Sequence, residues 1–424
     1  MLKHFQLNTD CETLLQLLDA VCVKLKKPNV FYYGIFRIIS LLASKLIFNL
    51  KIKQNAIKNK KGPFVVIANH ESFIDFINLC CCNRNRMHFV VSNSFYQSMS
   101  INPILKKCGV IPKQQFQTAM EDLKKMKAVI DNNMPLVIYP AGLMSEDGIS
   151  TKIPKGTGKL LKWFNCDVYV AKTKGSYFTN PKWGRSGFRK GQITLDIYKL
   201  YEKGELADYD ESNIQKTIEE LLDYNCYEYQ ETDKIVYKKH NDISGLENVL
   251  YKCLKCNEEF KMITDKNKLI CTCCNNTAVS DKYGFLHKEN EDSIVYRHVC
   301  DWSTKIKKDV YEEVVNNENY IISGHAKVSM IDYKKHKFVE VGDVNISLQR
   351  SVFKLNGTIN NEPFNKEILT KELFILPFSP GKYFEIQDKK DIYRIYLDDA
   401  NKTTKWLNVL RAIYDVNHQE IQSK

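Results

Sequence analysis

Residues 63–76 read PFVVIANHESFIDF, and they bring together the residue types needed for proton transfer: His70, with Asp75 five positions further on. The apolar run predicts a buried strand ending at Asn69, and Glu71 to Asn78 read as the start of a helix. His70 is then expected at a strand end and Asp75 about one turn into the helix, within reach of the imidazole. A carboxylate holding one ring nitrogen leaves the other free to take a proton from an attacking hydroxyl. Ser72 reads as a helix-start residue that satisfies backbone donors rather than as a nucleophile.

A second group has metal-ligand spacing. Cys253-x2-Cys256 and Cys271-x2-Cys274 are separated by fourteen residues. Two residues between thiols let one tight turn aim both sulfurs at the same ion, and two such turns complete a tetrahedron. With four sulfur ligands no position is open for water, so the expected ion is a structural zinc. Cys273 is spare.

The elements that must position these groups change in texture along the chain. From Pro63 to about Tyr201 short apolar runs (PFVVIA, MHFVVS, PLVIYP, DVYVAK) alternate with helix-length segments, which predicts an α/β unit of parallel strands and crossover helices. The acidic stretch 208–224 is helix-forming, and the cysteine group follows it. Beyond Tyr283 come YIISGHAKVSM, KFVEVGDVNISL, SVFKLNGTI, ELFILPF, KYFEIQD and DIYRIYL, read as strands. In the closing segment Trp406, Val409, Leu410 and Ile413 recur at helical spacing. The fold class expected is therefore an α/β domain, then a zinc ribbon, then a mainly-β domain closed by a C-terminal helix. The expected boundaries are 1–62 for a basic amphipathic segment, 63–245 for the α/β domain, 246–290 for the ribbon and 291–424 for the strand-rich part, whose topology resembles the pleckstrin-homology type.

Of the 424 residues 44% are hydrophobic and 26% charged, which suits a globular chain, and no stretch has the purity of a transmembrane helix. The start is polar and lacks a secretion signal, and the thiols are scattered, so a cytoplasmic protein with reduced cysteines is expected. The net charge of +12 is uneven, because residues 1–62 hold 11 Lys/Arg against 3 Asp/Glu. Within them 31–50 is apolar except for Arg37, Ser40, Ser44 and Lys45, which share one helical face, and Lys51, Lys53, Lys58, Lys60 and Lys61 follow. That combination predicts a helix lying on a membrane surface, and hence a peripherally attached protein. Nucleic acid is not an expected partner, since residues 251–287 carry six Lys/Arg against four Asp/Glu.

The motif NHESFID resembles the Asn-His-x-Ser-x-x-Asp signature of the glycerolipid acyltransferases of the 1-acylglycerol-3-phosphate type. CGVIPKQQF, LVIYPAGLMS and VYVAKTKGSYFTNPKW follow in the order of that family's further motifs, and the resemblance spans 31–183. It implies His70 as base and Asp75 as its orienter, with an acceptor pocket drawn from Gly109, Ile111, Lys113, Pro140, Gly142, Ser145 and Lys172. It also implies an acyl thioester donor, acyl-CoA or acyl-carrier protein, and a lipid hydroxyl as acceptor. Ala141 and Met144 stand where the family's third motif has Glu and Arg, its usual acceptor-phosphate contacts. Two rival readings follow: a lipid-binding relative whose altered third motif has lost catalysis, and a nucleic-acid-binding zinc protein.

Overall fold

The computed structural model describes residues 25–115, 119–239, 241–388 and 391–422. Residues 1–24 of the expected basic segment, and Phe116 of the second motif, lie outside them.

Helix α1 (Val30–Leu46) starts at Asn29, whose side chain accepts from the backbone N–H groups of Phe31 and Tyr32. Strands β1 (Leu50–Asn55), β2 (Phe64–Ala68), β3 (His88–Ser92), β4 (Val110–Lys113), β5 (Pro135–Ile138), β6 (Asp167–Lys174) and β7 (Ile193–Tyr201) form one sheet in the order β1-β7-β6-β2-β5-β3-β4. Every neighbouring pair is parallel except β6–β7, which is antiparallel, so the expectation of parallel strands is corrected at that pair. β1 also lies within residues 1–62: the sheet starts at Leu50, before the expected boundary at 62.

β2 is central and buried at all five positions, as its run of Val and Ile requires of a strand covered on both faces. The helices between strands include α2 (Asp75–Cys80), α3 (Asn93–Gln97), α4 (Asn102–Lys107), α5 (Met120–Asp131), α6 (Thr157–Phe164) and α7 (Ser176–Thr179). Met126, Val129 and Ile130 of α5, and Leu161 and Phe164 of α6, pack on Val65, Ile67 and Leu136. Helix α8 (Glu211–Leu222) follows β7, and its start at Asp210 matches the helix-forming stretch in the sequence.

Past helix α9 (Cys226–Asp233) the cysteine unit is a small antiparallel sheet of β8 (Met262–Asp265), β9 (Lys268–Cys271), β10 (Thr277–Ser280) and β11 (Leu286–Lys288). It does not have a core to itself. Tyr177, Phe178 and Trp183 of the α/β unit share one cluster with Tyr251, Phe285 and Trp302, so packing runs straight across the boundary placed at 245.

The strand-rich unit begins with a helix, α10 (Val299–Val315), where strand candidates alone were expected. β12 (Ile321–Asp332), β13 (Lys337–Gln349), β14 (Val352–Ile359), β15 (Glu362–Leu369), β16 (Phe378–Ser379), β17 (Tyr383–Asp388) and β18 (Asp391–Leu397) then form an antiparallel sheet ordered β15-β14-β13-β12-β18-β17-β16. ELFILPF was expected as a strand but is mostly irregular, ending in the two-residue β16, while EPFNKEIL, not among the strand candidates, is β15. Pro363 is tolerated because β15 is an edge strand. Helix α11 (Thr403–Gln422) closes the unit, with Trp406, Val409, Leu410 and Ile413 buried in its core. No described helix is long and apolar enough to cross a membrane.

Candidate active site

β2 delivers His70 to the carboxyl end of the sheet, where the ends of β5 and β6 flank it. Asn69 fixes the exit of the chain: its side-chain amide donates to the carbonyl of Thr173 at 2.8 Å and its oxygen accepts from the Thr173 N–H at 2.7 Å. The turn after it differs from expectation. Residues 71–74 form turns and α2 begins at Asp75 itself, so Asp75 sits at the helix start rather than a turn inside.

That start places the carboxylate beside the ring. Asp75 Oδ2 is 3.0 Å from His70 Nδ1 and also accepts from the Ser72 N–H at 2.9 Å. Asp75 is fully buried, while the His70 side chain keeps 19% exposure. The imidazole stacks on Tyr139 at 4.4 Å between centroids. The His70 carbonyl accepts from Ser145 N–H at 3.1 Å and from the Tyr224 hydroxyl at 3.0 Å, so the third-motif loop is tied to the histidine's own backbone. Ser72 does not cap the helix: its hydroxyl donates to the Asn180 carbonyl at 2.7 Å.

Glu71, next to His70, points away into the protein and accepts from Tyr177 N–H and the Tyr229 hydroxyl. Burial, reinforced by the Asp75 charge, pushes its carboxyl up to about 8, so it carries a proton at neutral pH.

His70 opens on a cavity of about 1730 Å³, large enough for a long-chain substrate. Phe73, Phe76, Phe95, Val90, Val91 and Met126 line its apolar part. Phe73 meets Phe76 and Phe95 edge-on at 5.2 and 5.5 Å. Of the residues expected at an acceptor pocket, Lys113, Pro140 and Gly142 line this cavity. Burial lowers the Lys113 ammonium below its ordinary range. Gly109, Ile111, Ser145 and Lys172 do not line it. Gly109 makes a left-handed turn (φ 81°) and its carbonyl bonds His88 Nδ1. Ile111 is in the core, and the Ser145 hydroxyl bonds the Ile149 carbonyl.

Sequence reasoning missed the far wall. Phe374, Phe378, Tyr383, Arg394 and Tyr414 of the strand-rich unit line the same cavity as His70. The third-motif loop reaches that unit through charge: Glu146 takes two bonds from Arg411, at 2.6 and 3.2 Å, and Lys307 at 2.9 Å, while Asp147 takes Lys307 at 2.6 Å. Burial alone would raise the Glu146 carboxyl, but the Arg411 and Lys307 charges hold it well below the usual range. The acids in SEDG at 145–148 were the available signal.

The four cysteine sulfurs Cys253, Cys256, Cys271 and Cys274 lie within 4.8 Å of one another and form a group able to hold a metal. Cys253 and Cys274 Sγ are 3.6 Å apart and Cys256 and Cys271 Sγ 3.7 Å. A tetrahedron with Zn–S bonds of about 2.3 Å has edges of about 3.8 Å, so the donor set fits. Asn257 and Asn275, one after each pair, take left-handed φ of 61° and 58° and close the two turns alike. Cys273 is exposed.

Residues 49–171 match the family model described as Acyltransferase. His70 and Asp75 both fall inside this matched region. Among solved structures, the 1-acyl-sn-glycerophosphate (LPA) acyltransferase PlsC from Thermotoga maritima is similar at 19% identity and a TM-score of 0.38, over 45% of this chain and 76% of that chain. No curated protein matches the chain.

Proposed function

We propose that this protein transfers a fatty acyl group from an acyl thioester, carried by coenzyme A or an acyl-carrier protein, to the hydroxyl of a glycerolipid. The observation that carries this reading is the 3.0 Å contact between His70 Nδ1 and the buried Asp75 carboxylate at the mouth of a large, partly apolar cavity. Asp75 accepts a hydrogen bond from Nδ1–H and stays ionised, which leaves Nε2 to take the proton of the acceptor hydroxyl. The hydroxyl oxygen attacks the thioester carbonyl, the C–S bond breaks, and the proton on His70 passes to the departing thiolate. No enzyme nucleophile takes part.

Lys113, Pro140 and Gly142 are the acceptor-side residues in this reading. Helix α1 supports work at a membrane surface, because Ser40 and Ser44 of its polar side are buried, while Phe31, Ile35, Ile38, Ile39, Leu42 and Leu46 are exposed together with Lys45. Phe36 of α1 stacks on Phe76 at 6.1 Å, and Phe76 lines the cavity, so this helix leads from the apolar face to the site. The strand-rich unit, seven strands closed by a helix, is read as pleckstrin-homology-like.

Labelled acyl thioester incubated with the protein and a total lipid extract tests the reading. A labelled ester of a glycerolipid is expected, and label released only as free fatty acid argues against it.

The four cysteines are read as a closed, structural zinc site that would hold two turns of chain together. One zinc per chain is expected in freshly prepared protein, with Cys253→Ser or Cys274→Ser losing the metal and lowering the unfolding temperature, and Cys273→Ser keeping both. Metal-free wild type with unchanged stability would remove the zinc.

A further inference from the structure

Lys182 follows α7 and lines the cavity at the seam between the acyltransferase domain and the strand-rich unit. Its Nζ is buried and has no hydrogen-bond partner among the described residues. It lies over the face of Phe378, 3.8 Å from the ring centroid. An ammonium group brings three N–H donors, and leaving them unmet away from water is costly; a ring face returns only part of that cost.

The neighbouring acids do not resolve it. Glu146 is occupied by Arg411 and Lys307, and Asp147 by Lys307. Three cations, Lys182, Lys307 and Arg411, thus surround two carboxylates, and one positive charge is left over on the side that faces the cavity. Burial pushes the Lys182 ammonium down to about 7 against the pull of Glu146, the response of a cation that lacks a counter-ion.

We propose that Lys182 binds a phosphate ester of the substrate filling this cavity, donating its N–H groups to the phosphate oxygens at the seam between the two units. This rests on the reading of the cavity as the substrate site. Two substrates carry that chemistry: a glycerol-phosphate acceptor, in its headgroup, and a coenzyme A donor, in its nucleotide portion. The Phe378 ring lies against the Lys182 ammonium itself and keeps water from competing for the charge on that side. The strand-rich unit is in this view part of the substrate site, since it supplies Phe378 and, through Arg411, occupies the acid that would otherwise neutralise Lys182.

Calorimetric titration of the full chain separates the sources without relying on turnover. Wild type, Lys182→Gln and Lys182→Arg are titrated with 1-oleoylglycerol 3-phosphate and its phosphate-free partner 1-oleoylglycerol, then with oleoyl-CoA and oleoyl-pantetheine. Loss of a charge-assisted hydrogen bond predicts about tenfold or greater weakening of a phosphorylated ligand by Lys182→Gln, with its phosphate-free partner unchanged and Lys182→Arg retaining most of the affinity. Weakening confined to the glycerol phosphate assigns the acceptor, and weakening confined to oleoyl-CoA assigns the donor. Unchanged affinity for both phosphorylated ligands, equal losses for phosphorylated and phosphate-free ligands, or no binding of either phosphorylated ligand to wild type overturns the proposal. If Lys182→Gln does not fold, the Lys182 resonance of 13C-methylated wild type, assigned with Lys182→Arg, must titrate at higher pH with ligand bound; an unmoved titration also overturns it. Phosphate binding without acyl transfer would sink the proposed reaction and leave this site standing. Acyl transfer with no effect of Lys182 would do the reverse.

Discussion

Each of the two large units holds a histidine beside aspartate, and the surroundings of the two pairs differ. In the α/β unit the Asp75 carboxylate is buried and bonded to one nitrogen of His70, and the ring borders a cavity. In the strand-rich unit His325 lies between Asp398, 3.1 Å from Nδ1, and Asp343, 3.2 Å from Nε2, and all three side chains are well exposed. Both His325 nitrogens are engaged, the residue does not line the cavity that His70 borders, and solvent screens the charges. What separates the two is therefore what the second nitrogen faces and how dry the carboxylate is, rather than the His–Asp distance.

The comparison breaks most sharply at the histidines themselves. His70→Ala is expected to lower the rate of acyl transfer by about 10²- to 10⁴-fold with the fold intact, whereas His325→Ala should leave the rate unchanged. Asp75→Asn should fall between them, because the ring loses the partner that fixes its tautomer. Steady-state rates with circular dichroism as a fold control decide it, and a loss below tenfold for His70→Ala would remove the histidine from the chemistry.

The same two units also differ in where their amphipathic helices turn. α11 puts Leu410 into a core, and Leu410→Ala should cost about 2–5 kcal/mol in denaturant unfolding. α1 turns Ile38 and Leu42 outward. Replacing both with Ser should change stability by less than about 0.5 kcal/mol, as surface substitutions do, while weakening co-sedimentation with vesicles. If those replacements destabilise the protein and leave vesicle binding untouched, α1 is a packing element.

The smallest effect sharpens the contrast from the other side. Hydrogen bonds that His325 donates to Asp398, then to Asp343, raise its folded-state pKa above its ordinary 6.5. A group raised on folding contributes stability that is fully present below the unfolded pKa and is lost as pH rises through the folded one. The difference in unfolding midpoint between wild type and His325→Ala should thus be larger at about pH 5.5 than at about pH 9, and small throughout because the ring is exposed. An equal difference at both values would show that the pairing is not formed in solution.

Much of the site could be read from the chain. The run FVVIA reads as a covered strand with His70 just past its end, and the repeated C-x2-C spacing points to four thiols brought together, as both are found. The 3.6-residue spacing of Trp406, Val409, Leu410 and Ile413 marked α11. Other features were hidden by their local sequence. α10 escaped notice because charged residues dilute its apolar face, and β15 because its proline and charges are acceptable only at an edge that the sheet order creates.

Local pattern thus determined most strands of the α/β unit, the closing helix, the two cysteine turns and the closeness of His70 to Asp75, because each depends on residues a few positions apart. Tertiary structure decided the rest. Which face of α1 meets the protein depends on Asn78, which receives the Ser44 hydroxyl at 2.9 Å from another helix. That the strand-rich unit walls the cavity, and that Lys182 is left without an acid, depends on Arg411 and Lys307 reaching Glu146 and Asp147 first. Contacts between residues tens to hundreds of positions apart leave no periodicity in the sequence, and competition for a carboxylate is settled only where the competing cations are brought together.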